Sequence, residues 1–220
     1  MTGADFLLWV RGPAIQIAAF IFCLGVLLRL FEVLMLGRKK NLAELRGNGF
    51  VSGLRTVVTR SLPADTNTLK RSLFTVVTGY VFHIGLFIVI LLLTPHIQLF
   101  KSLLGFGWPA LPTPIVDFFT VLALVAMVVI LWRRATHPLM RFLSTYEDYI
   151  VWIVTFLPLL SGYMSYHHLF LPYQWMLGLH ILSVALLLIV FPFTKLIHTF
   201  TLFLARWYNG SMAGEKGIRQ

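Results

Sequence analysis

The residues of this sequence that could do chemistry are its histidines, because six of the seven lie in or beside long apolar segments. His83 stands in the middle of "VFHIGLF", and the last apolar segment contains both His180 and His198. The three others near apolar segments stand at segment ends: His96, His167 and His168. An ionisable side chain inside a membrane-spanning segment is energetically costly, so each of these histidines is a candidate for a functional site.

The spacing of His180 and His198 predicts that they share one face of a helix. Eighteen residues make about five turns, and at about 1.5 Å per residue the two side chains would stand about 27 Å apart, near opposite membrane surfaces. A single buried histidine is usually satisfied by a serine or a backbone group. Histidines matched across helices favour a b-type haem, which takes one imidazole from each of two facing helices. Zinc would require further ligands, usually thiolates or carboxylates, which these segments lack.

The elements that must position the histidines are membrane-spanning helices. The chain is 58% hydrophobic and only 12% charged, and about twenty apolar residues suffice to cross a bilayer as a helix. Five spans are predicted, at residues 13–36, 72–94, 115–132, 149–166 and 174–197. The fold class is therefore an all-α integral membrane protein, with one five-span domain over residues 1–220.

The basic residues predict the orientation of these spans. A net charge of +10 would suggest nucleic acid as the partner of a soluble protein. Here the basic residues concentrate in residues 37–71, in the third connection and in the tail, which makes those segments cytoplasmic. The N-terminus is then outside and the C-terminus cytoplasmic, in the inner (plasma) membrane, with no role in nucleic-acid binding. The cytoplasmic basic loop, residues 37–71, would also suit docking of an acidic or peripheral partner.

The N-terminal region and the single cysteine limit the alternatives. Asp5 stands where a cleaved signal peptide would be basic, so the first helix is expected to be retained. Cys23 is alone, which excludes a multi-thiolate cluster or a covalently attached haem held by this chain by itself. It is predicted to be a small core residue.

The second and fifth spans are antiparallel in this topology. His83 lies about a dozen residues from the inner end of its span, and His198 lies at the inner end of the other. We therefore expect His83 and His198 to hold an inner haem b. His180, towards the outside, would hold a second haem if it has a partner.

Four motifs stand in or beside the predicted spans: "FHIG" at 82–85, "TPH" at 94–96, "WRR…PLMR…TYEDY" at 132–149 and "LHILSVALLLIVFPFTKLIH" at 179–198. Together they resemble the gamma subunit of respiratory nitrate reductase and its relatives, a family of five-span di-haem cytochromes b. The stretch at 179–198 is the closest match, and "GVLLR" at 25–29 is a weaker one. The resemblance covers most of the chain.

The resemblance implies a function in electron transport. Members of this family oxidise quinol near the outer surface and pass electrons through an outer and an inner haem to an iron–sulfur subunit at the cytoplasmic face. The matching ligands are His83 and His198 for the inner haem and His180 for the outer haem. Apart from the resemblance, the i, i+3 spacing of Arg29 and Glu32 predicts an ion pair, and the alternative is that Arg29 meets a haem propionate. The protein would then work in a hetero-oligomeric respiratory complex, with terminal catalysis in a partner subunit.

The sequence departs from the family at the fourth ligand, where Leu93 stands. His96 follows three residues later, about 4.5 Å further outward along a helix, and Pro95 could turn it inward. His167 or His168 could replace it, or there could be no outer haem. The departure makes relatives that join heterodisulfide-reductase-type subunits in sulfur metabolism at least as good a match.

Two other classes of function compete with a cytochrome. The histidines could relay protons in a channel or transporter, or the chain could be a structural membrane anchor without haem. Neither the quinone, the direction of electron flow nor the terminal substrate follows from the sequence.

Overall fold

A computed structural model describes residues 2–36, 44–62 and 66–218, without the side chains of residues 66–68. Within these ranges the secondary structure is helical and no residue lies in a strand, which confirms the all-α class. The helices are α1 (Gly3–Trp9), α2 (Ile15–Met35), α3 (Gly49–Ser61), α4 (Thr66–Leu92), α5 (Thr94–Leu104), α6 (Thr113–Thr136), α7 (Pro138–Leu143), α8 (Tyr146–Tyr166), α9 (Tyr173–Val190) and α10 (His198–Glu215). Arg38, Lys39, Lys40 and Arg219, which contribute to the predicted basic segments, lie outside the described residues.

Five helical stretches are long and apolar enough to cross a membrane, as the sequence predicts. They run over Gly3–Met35, Leu69–Leu92, Thr113–Thr136, Tyr146–Tyr166 and Tyr173–Phe193. The first begins ten residues earlier than predicted, because α1 precedes α2 through a π-helical turn at Val10–Ala14, which is kinked at Gly12 beside Pro13. The protein is therefore a multi-pass membrane protein, and its orientation stays a prediction.

The end of the fifth span differs from the prediction. Helix α9 ends at Val190, and a 3-10 turn follows over Phe191–Phe193. Thr194 is then extended, with φ −127° and ψ 179°, before a second 3-10 turn leads into α10. Pro192 lacks an N–H group and its ring crowds the preceding turn, which accounts for the break. The predicted shared helix face of His180 and His198 is therefore wrong, because no continuous helix joins them.

Contacts divide the chain into two compact units. The first contains Met1–Phe20 and Phe74–Val190, and the second contains Ile21–Leu73 and Phe191–Gln220. The sequence predicts one domain over residues 1–220, whereas contacts separate these two units within it. The single domain stays a prediction.

In the first unit, large side chains fill notches that small residues leave. A Cβ atom on Gly178 of α9 would lie 2.5 Å from the ring of Phe6, so α1 packs directly on α9 at this glycine. Likewise, a Cβ on Gly85 of α4 would lie 2.7 Å from the backbone oxygen of Phe119, so α4 and α6 approach closely there. Trp152 of α8 donates a 2.8 Å hydrogen bond to the backbone oxygen of Met127 on α6.

The connection after α5 is rich in aromatic and proline residues. It folds back on the last turn of α4, where the Trp108 indole N–H donates to Leu91 O and the Leu111 amide donates to Leu92 O. These bonds satisfy carbonyl groups that a helix end leaves without partners inside the helix.

In the second unit, α3 and α10 form an antiparallel pair that the sequence did not predict. Ser52 and Thr56 on α3 face Gly214 and Gly210 on α10, where added Cβ atoms would meet them at less than van der Waals distance. Small residues of this kind let two helix backbones approach closely. Cys23 is exposed rather than buried, so its prediction as a core residue is wrong.

Candidate histidine site

The first unit brings His96 and His180 together. Their ring centres lie 6.2 Å apart, and the ring planes are inclined by 24°. Both side chains are half-buried. We call these two residues the 96/180 pair. His96 is the first candidate partner of His180 from the sequence, and the sharing of one iron by these two residues stays a prediction.

His96 reaches its position because α4 stops and α5 starts in a new direction. Leu93 between them is extended, with φ −82° and ψ 131°, and Pro95 lies in the first turn of α5. The His96 Nδ1 lies 2.8 Å from the backbone oxygen of Val89, seven residues earlier. The extrapolation of 4.5 Å further along one straight helix is therefore wrong, because that helix does not continue.

His180 is held by α8, the neighbouring helix. Its Nδ1 lies 3.1 Å from the backbone oxygen of Pro158 and 3.4 Å from the Ser161 hydroxyl oxygen. A Cβ atom on Gly162 would lie 2.9 Å from His180 Cε1, so the absence of a side chain there makes room for the imidazole. Three neighbouring positions of α8 thus fix one ring.

The contacts of the 96/180 pair determine which tautomer each ring adopts. A carbonyl oxygen can only accept a hydrogen bond, so each Nδ1 must carry the proton. The lone pair of each neutral imidazole then lies on Nε2, the atom most suited to bind a metal. Metal-binding histidines commonly donate their other ring N–H to a backbone carbonyl in this way.

His83 and His198 show the same tautomer through local contacts. The His83 Nδ1 lies 2.7 Å from Gly79 O within α4, and the His198 Nδ1 lies 2.7 Å from Lys195 O in the turn before α10. We call these residues the 83/198 pair. His83 belongs to the first unit and His198 to the second, and their predicted pairing stays a prediction.

The two alternative partners of His180 make other contacts. His167, at the end of α8, has its Nε2 3.1 Å from Asp117 Oδ1, at ion-pair distance but without the alignment of a hydrogen bond. It also packs on Tyr163, with 4.5 Å between ring centres. His168 has a positive φ of 54° and packs on Tyr173.

Arg29 makes two contacts in the second unit. Its Nη1 pairs with Glu32 Oε2 at 2.8 Å, which is the i, i+3 ion pair expected from the sequence. Its Nε also donates to the backbone oxygen of Pro192 at 3.2 Å. Gly25, one turn earlier on α2, leaves the space that the Pro192 ring occupies. The contact of Arg29 with a haem propionate stays a prediction.

Sequence reasoning missed the α8 residues that hold His180. A signal was present: Pro158, Ser161 and Gly162 stand together in an otherwise apolar span. Small and polar residues within a span commonly mark a helix–helix contact. The Asp117–His167 contact was also missed, because the two residues are fifty positions apart in sequence.

A protein of Nitratidesulfovibrio vulgaris (strain Hildenborough) is 33% identical to this chain over 162 residues, which are 74% of this chain and 71% of the relative. The chain belongs to the same family. The relative's name, "Protein", states no activity, so membership of this family assigns none to the chain. No family model and no solved structure matches the sequence.

Proposed function

We propose that this protein is a membrane-anchor b-type cytochrome subunit. It would transfer electrons between the quinone pool and an iron–sulfur partner subunit on the cytoplasmic side of the inner membrane. The observation that carries the proposal is the 96/180 pair. In both imidazoles the Nδ1–H group donates to a backbone carbonyl oxygen, so the lone pair lies on Nε2, from which it could bind iron.

The donor set of the 96/180 pair fits a haem. A metal–imidazole bond is about 2 Å long, so two rings that bind one metal from opposite sides have centres about 6 Å apart. The observed 6.2 Å agrees with that separation. Ordinary ring pairs also span about 4.5–7 Å, so the distance supports the assignment only together with the tautomers. Haem bound there would supply a one-electron iron couple.

The chain's own residues would fix both ligands before haem binds. Val89 O and Pro158 O each hold one Nδ1–H, which sets the direction of each ring. Gly162 leaves the space that lets the His180 ring lie against α8. Among the described residues, no group of three or more His, Cys, Asp or Glu side chains could hold a metal ion, whereas axial ligation of haem needs only two.

The 83/198 pair would hold the second haem. This part of the proposal rests on the resemblance to nitrate reductase gamma subunits and on the shared tautomer of the two rings. The relatives that serve sulfur metabolism suit the chain at least as well, because Leu93 replaces the family's fourth ligand.

A reduced-minus-oxidised visible spectrum of the chain purified from membranes tests the proposal. Sharp low-spin b-type bands are expected, and the pyridine haemochrome assay should give two haems per protein chain. Addition of a short-chain quinol should then reduce at least one of them, because the haems would exchange electrons with the quinone pool. Bands that quinol cannot reduce would contradict this exchange while leaving the haem sites intact.

The rival functions predict that the purified protein contains no haem. A proton channel or a structural anchor would be colourless when the protein is expressed with sufficient haem. One haem instead of two would reject one of the two pairs, and replacement of His96 or His83 would show which.

A further inference from the structure

Helix α3 presents two opposite faces of different chemistry. One face, with Ser52, Gly53 and Thr56, is covered by α10. The other carries large apolar side chains that stay exposed: Phe50 (61%), Val51 (58%), Leu54 (50%), Val58 (57%) and, just after the helix, Leu62 (61%). We call this exposed set the α3 ridge. Its residues recur every three to four positions, so they form one continuous stripe along the helix.

The pairing with α10 explains why the α3 ridge cannot turn inward. A Cβ atom on Gly53 would lie 2.6 Å from the Trp207 ring, and one on Gly214 would lie 2.2 Å from Ser52. Arg206 of α10 also donates to the Ser61 hydroxyl at 2.7 Å. These contacts fix the rotation of α3. Phe50, at the start of the ridge, still packs edge-on against Trp207 of α10 with 6.1 Å between ring centres, whereas Val51, Leu54 and Val58 are exposed away from α10.

The charged residues of α3 itself are all positive. Helix α3 contains Arg55 and Arg60 and no acidic residue. Arg55 is next to Leu54 in sequence and is exposed, at the edge of the apolar stripe. A helix with an apolar stripe bordered by arginine is typical of segments that lie in the headgroup region of a membrane.

The place of α3 in the chain keeps it near a bilayer. Its thirteen residues are about 20 Å long, too short to cross about 30 Å of hydrocarbon. Only residues 62–68 separate it from the span that begins at Leu69, so it ends within about 30 Å of that span.

From these observations we propose that α3 lies flat on an anionic membrane surface. The α3 ridge would enter the headgroup region and Arg55 would contact anionic lipid headgroups. This surface does not depend on the proposed haem sites, and a colourless protein would still have it.

Spin labelling of the full chain in lipid nanodiscs tests this proposal. Cys23 is the only cysteine, so Cys23→Ser gives a background in which Leu54→Cys carries a single label. Thr59→Cys, exposed on the same helix but outside the ridge, is the matched control. In nanodiscs with anionic lipid, the ratio of oxygen to nickel-chelate accessibility should be several-fold higher at position 54 than at position 59.

Three outcomes would overturn the proposal. Equal accessibility ratios at both positions would show that the ridge stays in water. Protection of position 54 only when a partner subunit is present would make the ridge a protein-docking surface instead. An unchanged ratio at position 54 after Arg55→Gln, or after exchange of anionic for zwitterionic lipid, would show that anionic headgroups do not help to bind α3.

Discussion

The 96/180 pair and the 83/198 pair differ in how their imidazoles are held. His96 and His180 bond to carbonyl oxygens outside their own helices, at Val89 and Pro158. His83 and His198 bond to carbonyl oxygens three or four residues earlier in the same stretch of chain. The two bonds of the first pair therefore depend on tertiary structure, whereas the two bonds of the second pair form within a local stretch of backbone.

This difference determines what can disturb each pair. The 96/180 pair depends on the break at Leu93 and on the empty space at Gly162. The bonds of His83 to Gly79 O and of His198 to Lys195 O lie within local stretches of backbone, away from α8 in sequence. Substitutions in α8 should therefore disturb the first pair and leave the second intact.

The largest effect is expected from removing either ligand of the 96/180 pair. His96→Ala and His180→Ala should each remove the same b-type signal and about half of the haem, since each pair would bind one haem. Visible spectra and pyridine haemochrome measure both quantities. If the two variants lost different signals, the two histidines would not share an iron. If both variants kept full haem, neither would be a ligand.

A smaller effect is expected from filling the space beside His180. Gly162→Ala places a Cβ 2.9 Å from the imidazole and should shift the ring, which lowers occupancy at the 96/180 pair and leaves the other signal unchanged. Gly79→Ala is the matched control, because its Cβ would meet nothing within 4 Å and Gly79 O would still accept from His83. Equal loss of signal in both variants would contradict this difference between the pairs.

A moderate loss of stability is expected when Arg29, which bonds to the segment before His198, is replaced. Arg29→Ala deletes the bond to Pro192 O, in the segment that leads to His198, and should cost about 1 kcal/mol because the side chain is half exposed. Thermal unfolding in detergent measures this loss. An unchanged unfolding temperature would show that the bond contributes nothing.

The smallest effect is expected at Glu32. Its ion pair with Arg29 is exposed, and pairs of this kind contribute about 0–1 kcal/mol. Glu32→Gln leaves the Arg29–Pro192 bond in place, so the unfolding temperature should change less than in Arg29→Ala. A larger change in Glu32→Gln would show that the ion pair with Glu32 stabilises the protein more than the Arg29–Pro192 bond does.

The sequence predicts the five spans because each is a long apolar run, and length and hydropathy suffice for that. It also ends the second span at residue 94, close to the break at Leu93, and Pro95 indicates a turn there. It does not predict the break at Thr194, because Pro192 stands inside an otherwise apolar run. The sequence also does not predict α3, because the Gly, Ser and Thr residues that pack on α10 are typical of a polar loop. His96 could be chosen as a candidate from position alone, but its contact with His180 depends on tertiary structure.

A density map of the protein purified from membranes tests the central claim most directly. The account predicts a porphyrin between His96 and His180, with both Nε2 atoms directed at its iron and both Nδ1 atoms on Val89 O and Pro158 O. A map in which these two rings pack against lipid or apolar side chains, with no macrocycle between them, would contradict it.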